Sequence, residues 1–90
     1  MIVVSYDIKD DKLRTKFAKT LTKNGAIRLQ YSVYEVNNTK RVLDNLRIII
    51  KDKFAKQFTP DDSVVIMEVN IQSLEKYGCA IHRDQPAVYF

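Results

Sequence analysis

Ninety residues, 46% of them apolar and 29% charged, with only two glycines and two prolines, describe one ordered domain and exclude a disordered chain. A single cysteine, no apolar run after a basic start and no stretch approaching a membrane span argue against a disulfide scaffold, a secreted chain and a membrane protein, and point to the cytoplasm. The net charge of +4 is uneven, with thirteen Lys or Arg against six Asp or Glu in residues 1–57 and two against five in residues 58–90, which suggests a polyanion partner.

The first eight residues, MIVVSYDI, open as a β-branched run of the kind that forms a central strand buried on both faces, and Lys9-Asp10-Asp11 stops it. Asp10 or Asp11 can cap a following helix, because a carboxylate there accepts from orphan first-turn N–H groups. Leu13, Phe17 and Leu21 recur four apart as that helix's buried stripe, and Asn24-Gly25 closes it with residues that tolerate left-handed backbone. Lys12, Lys16, Lys19 and Lys23 fall within about 60° of one another, away from the stripe, and form a basic ridge.

Ala26 to Val36, AIRLQYSVYEV, alternates and is rich in β-branched and aromatic residues, so it reads as extended, either as one bent strand or as two short ones. Asn37-Asn38-Thr39 ends it and caps a second helix, Lys40 to Phe54, whose wide apolar face carries Val42, Leu43, Leu46, Ile49, Ile50 and Phe54. Phe58-Thr59-Pro60-Asp61-Asp62 is a turn-rich break, and Ser63 to Asn70 reads as another buried strand. Ile71 to Gly78 reads as a connector with at most a short helix. Ala87 to Phe90 reads as a last short strand, suited to pairing on an exposed sheet edge. With two strands in residues 26–36 the order is β-α-β-β-α-β, a ferredoxin-like α+β sandwich with an antiparallel sheet, two helices on one face and an extra C-terminal strand. Residues 1–90 read as one domain, with those from about 79 onward as its tail. So short a chain buries only about 60–65% of its unfolded surface, which favours an oligomer.

Asp7 ends the first apolar strand just before a helix, where a carboxylate serves either as a turn cap or as a hard oxygen ligand for Mg²⁺. One carboxylate is a weak magnesium site. A two-fold dimer that brings the strand ends together supplies two, so that one ion, Mg²⁺ or Mn²⁺, is shared across the dimer. Phosphodiester hydrolysis there needs a cation against developing charge; Arg14 and Arg28 stand nearest in sequence, with phosphate positioning or a surface ion pair as their plainer roles. Tyr6, Tyr31 and Tyr34 either stack on bases or pack in the core or an interface. Cys79 and His82 are each the only residue of their kind, so zinc sites and Cys–His nucleophiles have no support. No Walker loop, dinucleotide fingerprint, zinc-finger spacing or RNP1 pattern occurs.

Two segments, read together, resemble the CRISPR-associated Cas2 family. VVSYDIKDDKLRTK is similar to the family's hydrophobic strand ending in Tyr-Asp with an arginine early in the first helix. RLQYSVYEV is similar to its Arg-x-Gln-x-Ser-Val-Phe-Glu segment. The resemblance implies a ferredoxin-like homodimer that acts in spacer acquisition, holds duplex DNA and bridges dimers of the Cas1 integrase. It also implies a metal-dependent endonuclease on RNA or DNA. Asp7 then matches the catalytic metal-binding aspartate, Tyr6 its neighbour, and Arg14 and Arg28 the basic positions, beside Lys12, Lys16 and Lys19 of the ridge as nucleic-acid contacts. Gln30, Ser32, Val33, Tyr34 and Glu35 match the middle motif. Tyr34 stands where phenylalanine is usual, Val36 replaces a common glycine, and the C-terminal third carries no family motif.

Two other readings compete. One is a stand-alone ribonuclease related to small toxins of the same fold; the other is a non-catalytic ferredoxin-like interaction module.

Overall fold

Strand β1 (Ile2–Asp7) sends Ile2, Val4 and Tyr6 to one side of a sheet and Val3, Ser5 and Asp7 to the other, as the two-residue period of a strand requires. In the computed structural model of the chain, which describes residues 1–36 and 39–78, this strand is central and pairs antiparallel with two others. The expected contributions of Asn37 and Asn38, Cys79, His82 and the Ala87–Phe90 strand lie outside the described residues.

Helix α1 (Asp11–Lys23) begins where the Asp10 carboxylate accepts from the Leu13 N–H at 2.8 Å, so Asp10 is the cap and Asp11 adds negative charge to the first turn. It ends at Asn24, and Gly25 follows with φ +86°, the left-handed geometry that glycine adopts without Cβ strain. Residues 26–36 resolve into two strands, β2 (Ile27–Gln30) and β3 (Val33–Val36), joined through Tyr31 and Ser32. Ser32 has φ +67°, and its carbonyl accepts from the Tyr6 N–H at 3.1 Å, which ties the turn to the central strand. Between Arg28 and Gln30 the pairing slips by one residue.

Helix α2 (Lys40–Ile49) is capped by the Thr39 hydroxyl, which accepts from the Val42 N–H at 3.3 Å. The helical path continues as a π turn through Phe54 and a 3-10 turn through Gln57, so the apolar stripe reaches Phe54, with a looser hydrogen-bond ladder at its end. The break after Phe58 is closed by Asp62, whose carboxylate accepts from the backbone N–H groups of Thr59 (2.8 Å) and Lys9 (2.9 Å); those bonds hold its pKa below the ordinary value. Strand β4 (Ser63–Glu68) follows, and Ile71–Ser73 form one short 3-10 turn, the connector expected there.

The strand order β2-β3-β1-β4, all antiparallel, is the ferredoxin-like arrangement. Both helices pack on one face, where Phe17 lies edge-on to Tyr6 (4.8 Å between ring centres) and to Phe54 (5.0 Å) within a single core. The second face carries Val3, Leu29, Val33, Glu35, Val65 and Met67, and none of the described helices packs on it. This corrects the expectation that β4 is fully buried. It is an edge strand whose Val64 and Ile66 lean on the core, while Val65 is 51% and Met67 39% exposed. Among the described residues no helix is long and apolar enough to cross a membrane.

Candidate functional site

Asp7 closes β1 opposite Ser63 of β4, on the same face as Val3 and Ser5. Its side chain is 64% exposed, and its described partner is the Lys9 ammonium, 3.1 and 3.3 Å from the two carboxylate oxygens. An ion pair this exposed contributes little and separates readily. Among the described residues no group of three or more His, Cys, Asp or Glu gathers as a metal cage. A single hard carboxylate fits half a magnesium site, because Mg²⁺ takes one or two carboxylates and keeps several waters; it does not fit a site ligated by protein alone.

A second feature lies on the helix side of the sheet. Between α1 and the β2–β3 turn runs a groove of about 590 Å³. Tyr6, Ser32 and Tyr34 form its floor, and Thr15, Ala18 and Thr22 give α1 a wall of small side chains. Arg14, Lys19, Lys23 and Arg28 stand around it with Tyr31, which is 72% exposed. The Tyr6 ring is only 7% exposed and stacks 6.1 Å from Tyr34. Burial, and then neighbouring Tyr34, push the Tyr6 phenol up to about 12, against an opposing hydrogen bond from Ser32, so the hydroxyl stays neutral at ordinary pH.

Arg14 holds the chain between β1 and α1. One guanidinium nitrogen donates to the carbonyls of Ile8 (3.1 Å) and Lys9 (3.4 Å), and the other to the Asp11 carboxylate. Asp11 first, and Tyr31 to a smaller degree, raise its pKa further above the ordinary arginine value. The lysine ridge continues outward: Lys12 and Lys16 share a shallow depression with Asp11, Thr15 and Lys19, and Lys19 also borders the groove.

The structure thus gathers Tyr6, Arg14, Lys19, Arg28, Ser32 and Tyr34 around one groove and places Asp7 apart from it, at the end of the other face. Gln30 is exposed at the end of β2, while Val33 and the nearly buried Glu35 sit on the second face. Tyr6 and Tyr34 offer no ring face to a base, because both rings are committed to the core; of the three candidate tyrosines, Tyr31 is the exposed one. The cation in contact with Asp7 is Lys9, not Arg14 or Arg28, a pairing signalled by the two-residue spacing that puts both on one side of an extended chain. The small-residue wall was also legible: Thr15, Ala18 and Thr22 recur at helical spacing beside the apolar stripe.

A model of the family "CRISPR associated protein Cas2" matches residues 1–77. A protein named CRISPR-associated endoribonuclease Cas2 1, from Methanospirillum hungatei, is 32% identical over 87 residues, covering 97% of this chain and 87% of that protein. The crystal structure of a hypothetical protein from Thermus thermophilus is similar with a TM-score of 0.69 and 31% identity, covering 90% of this chain and 93% of that one.

Proposed function

The chain belongs to the CRISPR-associated Cas2 family, and from that premise we propose that it works as a symmetric dimer in spacer acquisition, holding duplex DNA and bridging the Cas1 integrase, with a metal-dependent endonuclease capacity centred on Asp7. The observation that carries this reading is the placement of Asp7, an exposed carboxylate on the sheet face that no described helix covers. Val65 and Met67 lie exposed on that same face. Burying them against a second copy supplies the apolar burial that a 90-residue chain lacks, and draws two Asp7 carboxylates toward one axis.

In the dimer, Asp7 of each protomer would hold Mg²⁺ or Mn²⁺ through a carboxylate oxygen, displacing Lys9. The ion, when bound, neutralises phosphate charge and lowers the pKa of an attacking water. The chain's own residues bring the substrate: Arg28 and the ridge of Lys12, Lys16 and Lys19 meet phosphates, while Arg14 fixes the segment that leads from β1 into α1. The name of the Methanospirillum hungatei relative, an endoribonuclease, favours RNA as a second substrate class, and with it the alternative of a ribonuclease that works without the integrase.

The test is wild type beside Asp7→Ala on labelled duplex DNA and single-stranded RNA, with Mg²⁺ or a chelator. Both proteins should bind duplex DNA with an affinity that falls steeply with salt, and only wild type with Mg²⁺ should cleave. Absence of duplex binding at low salt overturns the DNA-handling reading. Equal cleavage by Asp7→Ala removes Asp7 as the metal ligand.

A further inference from the structure

We propose that the groove between α1 and the β2–β3 turn is a nucleotide site that takes one unpaired base of a single strand, with Tyr31 stacked on it and Lys19, Lys23 and Arg28 on the flanking phosphates. The inference rests on the reading that this chain handles nucleic acid, and it names the part of the polymer that this surface takes. Charge selects the ligand's sign: four cations border the groove, and no carboxylate is among its described lining residues. Shape selects its class. A volume of about 590 Å³ lies within the usual range of small-molecule sites and accepts a base, whereas a smooth phosphate track needs no such depth.

Of the three tyrosines that line the groove, Tyr31 is the one left over by the fold. Tyr6 and Tyr34 are consumed by the core, while Tyr31 projects from the turn with 72% of its surface exposed, beside Lys19, Lys23 and Arg28; the fourth cation, Arg14, is paired with Asp11. An exposed aromatic ring among cations is the combination single-strand binding surfaces use, because every base offers a π face. The floor adds polar residues, since Tyr6 and Ser32 both line the groove. A paired base in a duplex cannot enter, so the site separates single-stranded from duplex substrate on one protein.

The experiment measures binding of a labelled single-stranded oligonucleotide, the same sequence as a duplex, and adenosine monophosphate as competitor, to wild type, Tyr31→Ala and Tyr31→Phe. Tyr31 is exposed, so neither substitution disturbs the core. Tyr31→Ala should weaken single-strand binding about 5- to 150-fold and leave duplex binding unchanged, and Tyr31→Phe should bind like wild type. Because the chain has no tryptophan, Tyr31→Trp adds a sole reporter whose emission should fall when a base stacks on it. Unchanged single-strand affinity in Tyr31→Ala, or an equal loss on duplex, overturns the base site and leaves the proposed function intact. No binding of any nucleic acid by wild type overturns both. Competition by the mononucleotide at concentrations that match the oligonucleotide overturns the strand as the source and assigns the groove to free nucleotides.

Discussion

Tyr6→Phe isolates one buried hydroxyl without disturbing the packing around it. The ring stays against Phe17 and Tyr34, and only the phenol oxygen goes. In the folded chain that phenol is pushed up to about 12 from an ordinary value of 10.0, mainly by burial. Below pH 10 both folded and unfolded chains hold the proton, so its contribution to stability is fully present. Above pH 10 the unfolded chain ionises while the folded chain keeps its proton, so the folded state binds more protons and stability falls as pH rises toward 12. A displacement of two pH units corresponds to a loss of about 2–3 kcal/mol across that window. The variant lacks the group, so it should lose less stability over the same window by about that amount, starting about 0.5–1.5 kcal/mol lower at neutral pH for the missing hydrogen bonds. Urea unfolding followed by circular dichroism at a series of alkaline pH values measures the difference directly. If the stabilities of wild type and variant run parallel from pH 10 to 12, the hydroxyl titrates alike in both states and the argument from burial fails.

Phe17→Ala removes a fully buried ring with edge contacts to Tyr6 and Phe54, and should cost about 3–5 kcal/mol in the same unfolding assay. Asp10→Ala leaves the Leu13 N–H without its cap and should cost about 1 kcal/mol, while circular dichroism of the folded state stays native. Ser32→Gly and Ser32→Val both lose the side chain that hydrogen-bonds to Tyr6, but Ser32→Val also forces a β-branched residue into left-handed backbone and should cost more than Ser32→Gly by about 1 kcal/mol or more; equal effects would refute strain at this turn. Asp7→Ala, losing one exposed ion pair, should leave the unfolding midpoint near that of wild type, so that any loss of cleavage reports on chemistry and not on folding.

Most of the fold was legible because its signals are local. Leu13, Phe17 and Leu21 mark the buried side of α1, and Asp10 and Asn24 mark its ends. The split of residues 26–36 was not decidable from pattern, because the turn is made by Tyr31 and Ser32 rather than by glycine, and the strain at Ser32 is held by a hydrogen bond to a strand 26 residues away in sequence. The exposed half of β4 was equally hidden. An apolar run reads as buried, and only sheet order reveals that the strand lies at an edge. At the site, residue types located Asp7 and the basic surface, but tertiary packing decided that they separate onto different faces and that, of the three candidate tyrosines, Tyr31 stays available.

Arg14 carries two duties that cannot be varied independently. Its guanidinium fork clamps the carbonyls of Ile8 and Lys9 and the carboxylate of Asp11 while also bordering the groove. A lysine there keeps the charge but, as a point donor on a flexible stem, loses the fork that spans these acceptors. Any drift at position 14 must re-solve the path out of β1 and the wall of the groove in one step, so the position is constrained from two directions at once, and a substitution that preserves charge alone should behave as a loss of both.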